Sequence, residues 1–146
     1  MNLIAHRGNI TGRIEEDENR PQYIDDAISM GYDVEIDIRK VGDDLFLGHD
    51  TPQYKVDYNW LIDRKDKLWI HCKNVEAMEW FDSNREFNYF WHEKDTVTLT
   101  SNGSIWAFPG KQPIKNSIAI LPEIFNDNIS QCRGICSDYI QQYKTK

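Results

Sequence analysis

A chain of 146 residues with 24 acidic and 17 basic side chains, net charge −7, is a poor match for nucleic acid or an anionic membrane as main partner. Its length suits a single domain over 1–146, and 12% aromatics favour a packed interior. No apolar run approaches the roughly 18 residues that a membrane-crossing helix needs. The chain enters Asn2-Leu3-Ile4-Ala5-His6 with no basic and apolar leader before it, so the cytoplasm is the expected location. Cys72, Cys132 and Cys136 are an odd set that matches no common zinc spacing. They read as reduced thiols at packing positions, with Cys132-x3-Cys136 as half of a metal site the alternative.

Leu3-Ile4-Ala5-His6 reads as a short buried strand running into His6-Arg7-Gly8, with a polar, acidic loop over 9–18 after it. Asn19 is the expected N-cap of a helix with Pro21 in its first turn, where a missing N–H costs nothing. Tyr23, Ile24, Ala27, Ile28 and Met30 supply its apolar stripe, and Gly31 its stop. The stretch 33–39, Asp33-Val34-Glu35-Ile36-Asp37-Ile38-Arg39, alternates with period two and predicts a strand. Strand, helix and strand in about 38 residues make the βαβ pattern of a parallel sheet.

A turn at Gly42-Asp43-Asp44 leads to a third strand over 45–48 that ends in His49-Asp50. Residues 51–66 read as loop with a helical turn near 60–62. A fourth strand covers 67–73, with His71 and Lys73 on one face and Cys72 on the other. Asn74 caps a helix to about Asn84, packing through Val75, Met78, Trp80 and Phe81. Tyr89-Phe90-Trp91-His92 is a fifth strand. Strands at 96–100 and 104–108 flank Ser101-Asn102-Gly103, a hairpin signal, and Pro109, Gly110 and Pro113 interrupt regular structure after the second of them. Further strands at 117–121 and 134–138 precede a short helix from Tyr139. Low-complexity segments, repeats and linkers are not evident.

Glu35 and Asp37 project from the same strand face, where two carboxylates repel unless a cation lies between them. A solvated acidic face is the plain reading, and a divalent metal the sharper one. Other strands also end in reactive groups: His6, His49, His71 with Lys73, His92, Glu123 and Asp138. A parallel barrel collects its functional groups at its strands' C-terminal ends. For His92, Glu123 and Asp138, helix capping is the competing role. Trp91 and Trp106 read either as pocket lining or as core.

His6-Arg7-Gly8, Glu18-Asn19, Glu35-Ile36-Asp37 and His49-Asp50, in this order and spacing, resemble the glycerophosphodiester phosphodiesterase family of the phospholipase-C-like phosphodiesterases. The likeness is specific over residues 3–73 and faint beyond, where Gly134-Ile135-Cys136-Ser137-Asp138 looks like the closing strand. It implies an α/β fold, a compact, helix-depleted TIM-type (β/α) barrel of mostly parallel strands. A full barrel takes about 250 residues, so helices of the second half must be lost or shortened. It also implies hydrolysis of a small phosphodiester, with His6 and His49 as acid and base and Glu35 and Asp37 holding magnesium or calcium. Arg7 and Lys73 would contact the phosphate, although Arg7 also reads as a salt-bridge partner of Glu18 or Asp37. Attack by a neighbouring substrate hydroxyl would form a cyclic phosphodiester that water then opens.

The residue types suit this chemistry on their own. A phosphodiester anion must be neutralised before a nucleophile approaches, and two groups titrating near neutrality must exchange protons. One departure stands out. Where the family carries a third metal-binding carboxylate, this chain has His71. A nitrogen ligand favours manganese or zinc; otherwise His71 bonds the phosphate, or the site is metal-poor. A lyase of the sphingomyelinase-D-like branch, stopping at the cyclic phosphate, and a barrel that binds a phospho-ligand without turnover are the alternative functions.

Overall fold

The computed structural model describes residues 1–144. In chain order they form β1 (Asn2–His6), α1 (Pro21–Ser29), β2 (Asp33–Val41), β3 (Asp44–Leu47), β4 (Tyr54–Val56), α2 (Tyr58–Ile62) and β5 (Leu68–Cys72). Next come α3 (Val75–Asp82), β6 (Tyr89–Phe90), β7 (Val97–Leu99), β8 (Ile105–Ala107), β9 (Ser117–Ile120), β10 (Gly134–Ser137) and a 3-10 helix, Ile140–Tyr143. Strand β4 lies in a stretch whose sequence reads as loop, and the terminal helix is 3-10 rather than α.

The expected TIM-type barrel of mostly parallel strands does not form. One mixed sheet takes its place, built on β6-β5-β2-β1-β10-β9-β8, with β3 and β4 added antiparallel beyond β2 and β7 added antiparallel beyond β8. No strand pairing among the described residues joins β6 to β7 or β8, so the sheet curls without closing. Scattered hydrogen bonds span the gap, among them Ser101 N–H to the Tyr89 carbonyl (2.8 Å), Tyr89 N–H to Ser101 Oγ (2.9 Å) and Thr98 Oγ1 to the Trp91 carbonyl (2.9 Å). Chain length is the physical reason. A parallel crossover consumes a dozen or more residues, usually as a helix, whereas an antiparallel neighbour needs only a two-residue turn. Among the described residues three α-helices accompany the ten strands, and the proline-bearing segments 108–116 and 121–133 pass from strand to strand without one.

Alternation along β2 separates two cores. Val34, Ile36 and Ile38 face outward into a layer with Ile24 and Ala27 of α1 and Ala77 and Phe81 of α3. The inner face carries Ile4, Trp69, Phe90, Trp106, Ile118 and Cys136. Rings from opposite limbs of the sheet meet there, Trp106 lying 5.6 Å from Trp69 and 4.7 Å from Phe90 between centroids. Burial of each such side chain stabilises by roughly 1.5–3 kcal/mol, so these contacts hold the curl without a closing ladder.

Helix termini show where local preference gives way to tertiary demand. Asn74 caps α3 as expected, accepting from Ala77 N–H at 3.0 Å, and its amide also bonds the backbone of Lys40. Asn19, the expected cap of α1, is engaged elsewhere, and Arg20 takes the cap position without a side-chain bond. Met30 and Val75, expected to pack, are exposed. Cys72, Cys132 and Cys136 are free and buried, as packing thiols should be. Among the described residues, no helix is long and apolar enough to cross a membrane.

Candidate metal and acid-base site

Parallel pairing sets His6 of β1 beside Glu35 of β2, and Asp37 of β2 beside His71 of β5. All four lie on the inner face, above the aromatic layer. Glu35 and Asp37 are almost fully buried, at 2% and 0% exposure. One oxygen of each, Glu35 Oε1 and Asp37 Oδ1, has no hydrogen-bond partner. An orphaned buried carboxylate oxygen is costly, so the solvated-face reading of this pair does not hold.

Asn19 grips Asp37 from two sides: its amide donates to Oδ2 at 2.9 Å, and its oxygen accepts from the Asp37 backbone N–H at 2.9 Å. This diverts Asn19 from α1, with its backbone at φ 65°. Arg7 turns inward as well. Its Nε lies 3.1 Å from Asp37 Oδ2, Nη1 lies 3.3 Å from Glu18, and Nη2 lies 2.8 Å from His49 Nδ1. Of the two roles open to Arg7, its geometry is that of the salt bridge, although it still lines the cavity. It is the one permanent cation within ion-pair reach of Glu35 or Asp37 among the described residues, and it is shared with Glu18.

His71 meets the remaining charge. Its Nδ1 lies 3.6 Å from Glu35 and 3.4 Å from Asp37, while Nε2 lies 2.8 Å from the His92 carbonyl, which can only accept. Nε2 therefore carries a hydrogen and Nδ1 faces the two acids. A lone pair there would point at two anions, so Nδ1 needs either a proton or a metal. Burial pulls the His71 pKa down, but hydrogen bonding and charge from Asp37 and Glu35 outweigh it and raise it to about 9. Burial likewise opposes ionisation of Asp37, yet His49, His71 and Arg7 hold its pKa well below the usual carboxylate range.

In the metal-free protein this shift makes stability depend on pH. With a folded pKa above the ordinary 6.5, protonated His71 stabilises fully below about pH 6.5, and that contribution fades as pH rises through 9. Urea midpoints measured in EDTA should fall across this window, by at most about 3 kcal/mol in stability. The His71→Gln protein should lack this slope. An equal slope in both proteins would assign it to other groups.

His6 and His49 flank the same two acids. His6 Nδ1 lies 2.7 Å from Asp138 Oδ1, so the ring donates there and its Nε2 looks across the site toward Glu35 at 3.9 Å. Burial lowers the His6 pKa, but Asp138 and Glu35 raise it above its ordinary value. His49 Nδ1 lies 2.8 Å from Arg7 Nη2 and 3.6 Å from Asp37 Oδ1, and its Nε2 lies 3.6 Å from Asp50 Oδ1. The His49 turn depends on Gly48, at φ 149°, where a Cβ would stand 1.9 Å from the Thr51 carbonyl oxygen. Lys73, just beyond β5, lines the cavity and forms no ion pair among the described residues.

The seven candidates His6, Arg7, Glu35, Asp37, His49, His71 and Lys73 thus gather at one end of the sheet. Asp138 belongs with them as partner of His6. Glu123 does not: it accepts from Ser137 Oγ and Tyr143 Oη and ties down the C-terminal helix. His92 contributes its carbonyl to His71, while its ring lies 2.8 Å from the Asp95 carbonyl. Asn9, absent from the candidates that the sequence suggests, bridges Glu18 and Asp138 at 2.8 and 2.9 Å. Nothing local marks it, because its partners lie 9 and 129 residues away. Trp106 lines the cavity, whereas Trp91 packs half-buried against the outer core.

The donor set fits a divalent cation. Ligand atoms of Glu35, Asp37 and His71 all lie within 4.8 Å of one another, and both acids carry an orphaned oxygen. The His92 carbonyl fixes the ring as metal-binding histidines are usually fixed. Comparison with family models, with curated proteins and with solved structures finds no match in any of the three.

Proposed function

We propose that this chain is a metal-dependent phosphodiesterase acting on a small glycerophosphodiester-like substrate, a cytoplasmic enzyme with reduced cysteines. The observation that carries the reading is the pair of histidines, His6 and His49, flanking one metal-competent acid cluster. Glu35, Asp37 and His71 would hold the cation, whose chemistry is to neutralise phosphoryl charge. His6, its Nδ1 hydrogen committed to Asp138, takes the proton of the attacking substrate hydroxyl at Nε2. His49, entering the step as the imidazolium, gives its Nε2 proton to the departing alkoxide and is left neutral. The roles then reverse as water opens the cyclic phosphodiester. Lys73 and the cavity-facing edge of Arg7 neutralise the phosphate oxygens and orient them.

Two oxygens and one imidazole nitrogen favour manganese or zinc over magnesium or calcium. The test is release of the alcohol from glycerophosphocholine with each of these metals in turn, beside calorimetric metal binding. We expect turnover that EDTA abolishes and manganese restores, and binding that His71→Ala weakens about 10-fold or more. Turnover that survives EDTA overturns the reading. Phosphorus NMR that shows a cyclic product accumulating assigns the lyase instead.

A further inference from the structure

The cavity over these residues measures about 950 Å³, and its sides differ in chemistry. Its floor is His6, Glu35, His71 and Lys73, and one lip carries Glu93, Lys94 and Asp95 from the turn after β6. Another wall, adjoining this lip at Phe108, is apolar throughout: Phe108 and Pro109 come just after β8, and Ile120, Leu121, Ile124 and Phe125 lie at and beyond the end of β9. Glu123, the acid within that segment, is held by Ser137 and Tyr143 and does not line the cavity.

The outer edge of this wall remains in water. Ile124 and Phe125 are 56% and 65% exposed. They are nonetheless placed: the Phe125 ring lies against the Gly110 turn, so closely that a Cβ on Gly110 would come within 3.1 Å of it. A large apolar surface kept exposed beside a polar site marks a place where an apolar group binds. A glycerophosphodiester with two hydrophilic ends would cover the floor and leave the wall wet.

Resting on the phosphodiesterase reading, we infer that the substrate is a single-chain amphiphile: a phosphodiester whose phosphate sits over Lys73 and the histidines, and whose hydrocarbon chain lies along the Phe108–Phe125 wall. The chain leaves the cavity across Ile124 and Phe125. This wall, rather than the metal cluster, selects among phosphodiesters.

Calorimetric binding of butyl-, hexyl-, octyl- and decylphosphocholine, each below its micelle-forming concentration and with manganese present, tests the assignment. These probes lack the neighbouring hydroxyl that the proposed reaction uses. Affinity should rise by up to about fourfold per methylene until the wall is covered, with one site per chain. Phe125→Asp and Ile124→Asp, both on an exposed turn, should at least halve that dependence. A flat series, an undiminished slope in both variants, or octyl glucoside binding as tightly as octylphosphocholine would overturn the inference. Turnover of glycerophosphocholine and of its monoacyl ester, measured in parallel, separates the two claims. A flat series with turnover removes the wall's role and keeps the enzyme. A rising series without turnover removes the enzyme and keeps an amphiphile-binding site.

Discussion

In an assay for alcohol released from glycerophosphocholine, His6→Ala is expected to lower kcat by about 10²–10⁴. His6 Nδ1 is held by Asp138 at 2.7 Å, which leaves the other ring nitrogen facing the acid cluster. The companion variant separates proton transfer from architecture. Asp138→Asn leaves the volume unchanged but replaces a charged acceptor with an amide, which lowers the His6 pKa and loosens its orientation. It should reduce kcat at least 10-fold, leave KM nearly unchanged, and move the acidic limb of the pH profile downward. Asn9 also bonds Asp138 and Glu18, so a purely structural loss would appear as altered unfolding with an unmoved pH profile. Wild-type turnover in His6→Ala would remove His6 from the chemistry.

Asp37→Ala is expected to cost about 3–5 kcal/mol of folding stability. The carboxylate is fully buried and is the common partner of Arg7, Asn19 and His71. Its removal leaves the interior guanidinium to Glu18 alone and the Asn19 amide without its acceptor. Against a typical total of about 5–15 kcal/mol, the variant should unfold at a much lower urea concentration. Asp37→Asn preserves volume and an acceptor for Asn19, so it should recover part of the stability while metal binding stays weak. The two readouts together distinguish a fold-bearing role from a ligand role. Unfolding midpoints matching wild type in Asp37→Ala would mean that the network around it is not a stabilising one.

The inward turn of Arg7 and the diversion of Asn19 have a common source. Both lie between β1 and α1 in a segment with positive φ angles, at Arg7 and Asn19 themselves, and both converge on Asp37. Taken locally, Asn19 before Pro21 is a good helix cap, and Arg7 is a free cation at a strand end. The demand of one buried carboxylate outweighs the roughly 1 kcal/mol that an N-cap contributes. The β1 pairing with β10 likewise brings Asp138 to His6 across 132 residues of chain, which no local signal could announce.

Short-range periodicity and residue chemistry make part of this protein legible from the order of its residues. The alternation of 33–39 puts Glu35 and Asp37 on one face and Val34, Ile36 and Ile38 on the other. The strand positions of His6 and His71 and the Asn74 cap are readable in the same way. That the sheet is mixed and open rather than a TIM-type barrel emerges only in three dimensions, because strand pairing depends on contacts between distant segments and on how much chain each crossover consumes. The partners of Asp37, the Asp138 contact of His6, and the apolar wall along one side of the cavity belong to that level too. Each arises from residues brought together by β1–β10, β2–β5 and β8–β9 pairing, and a linear reading does not register such meetings.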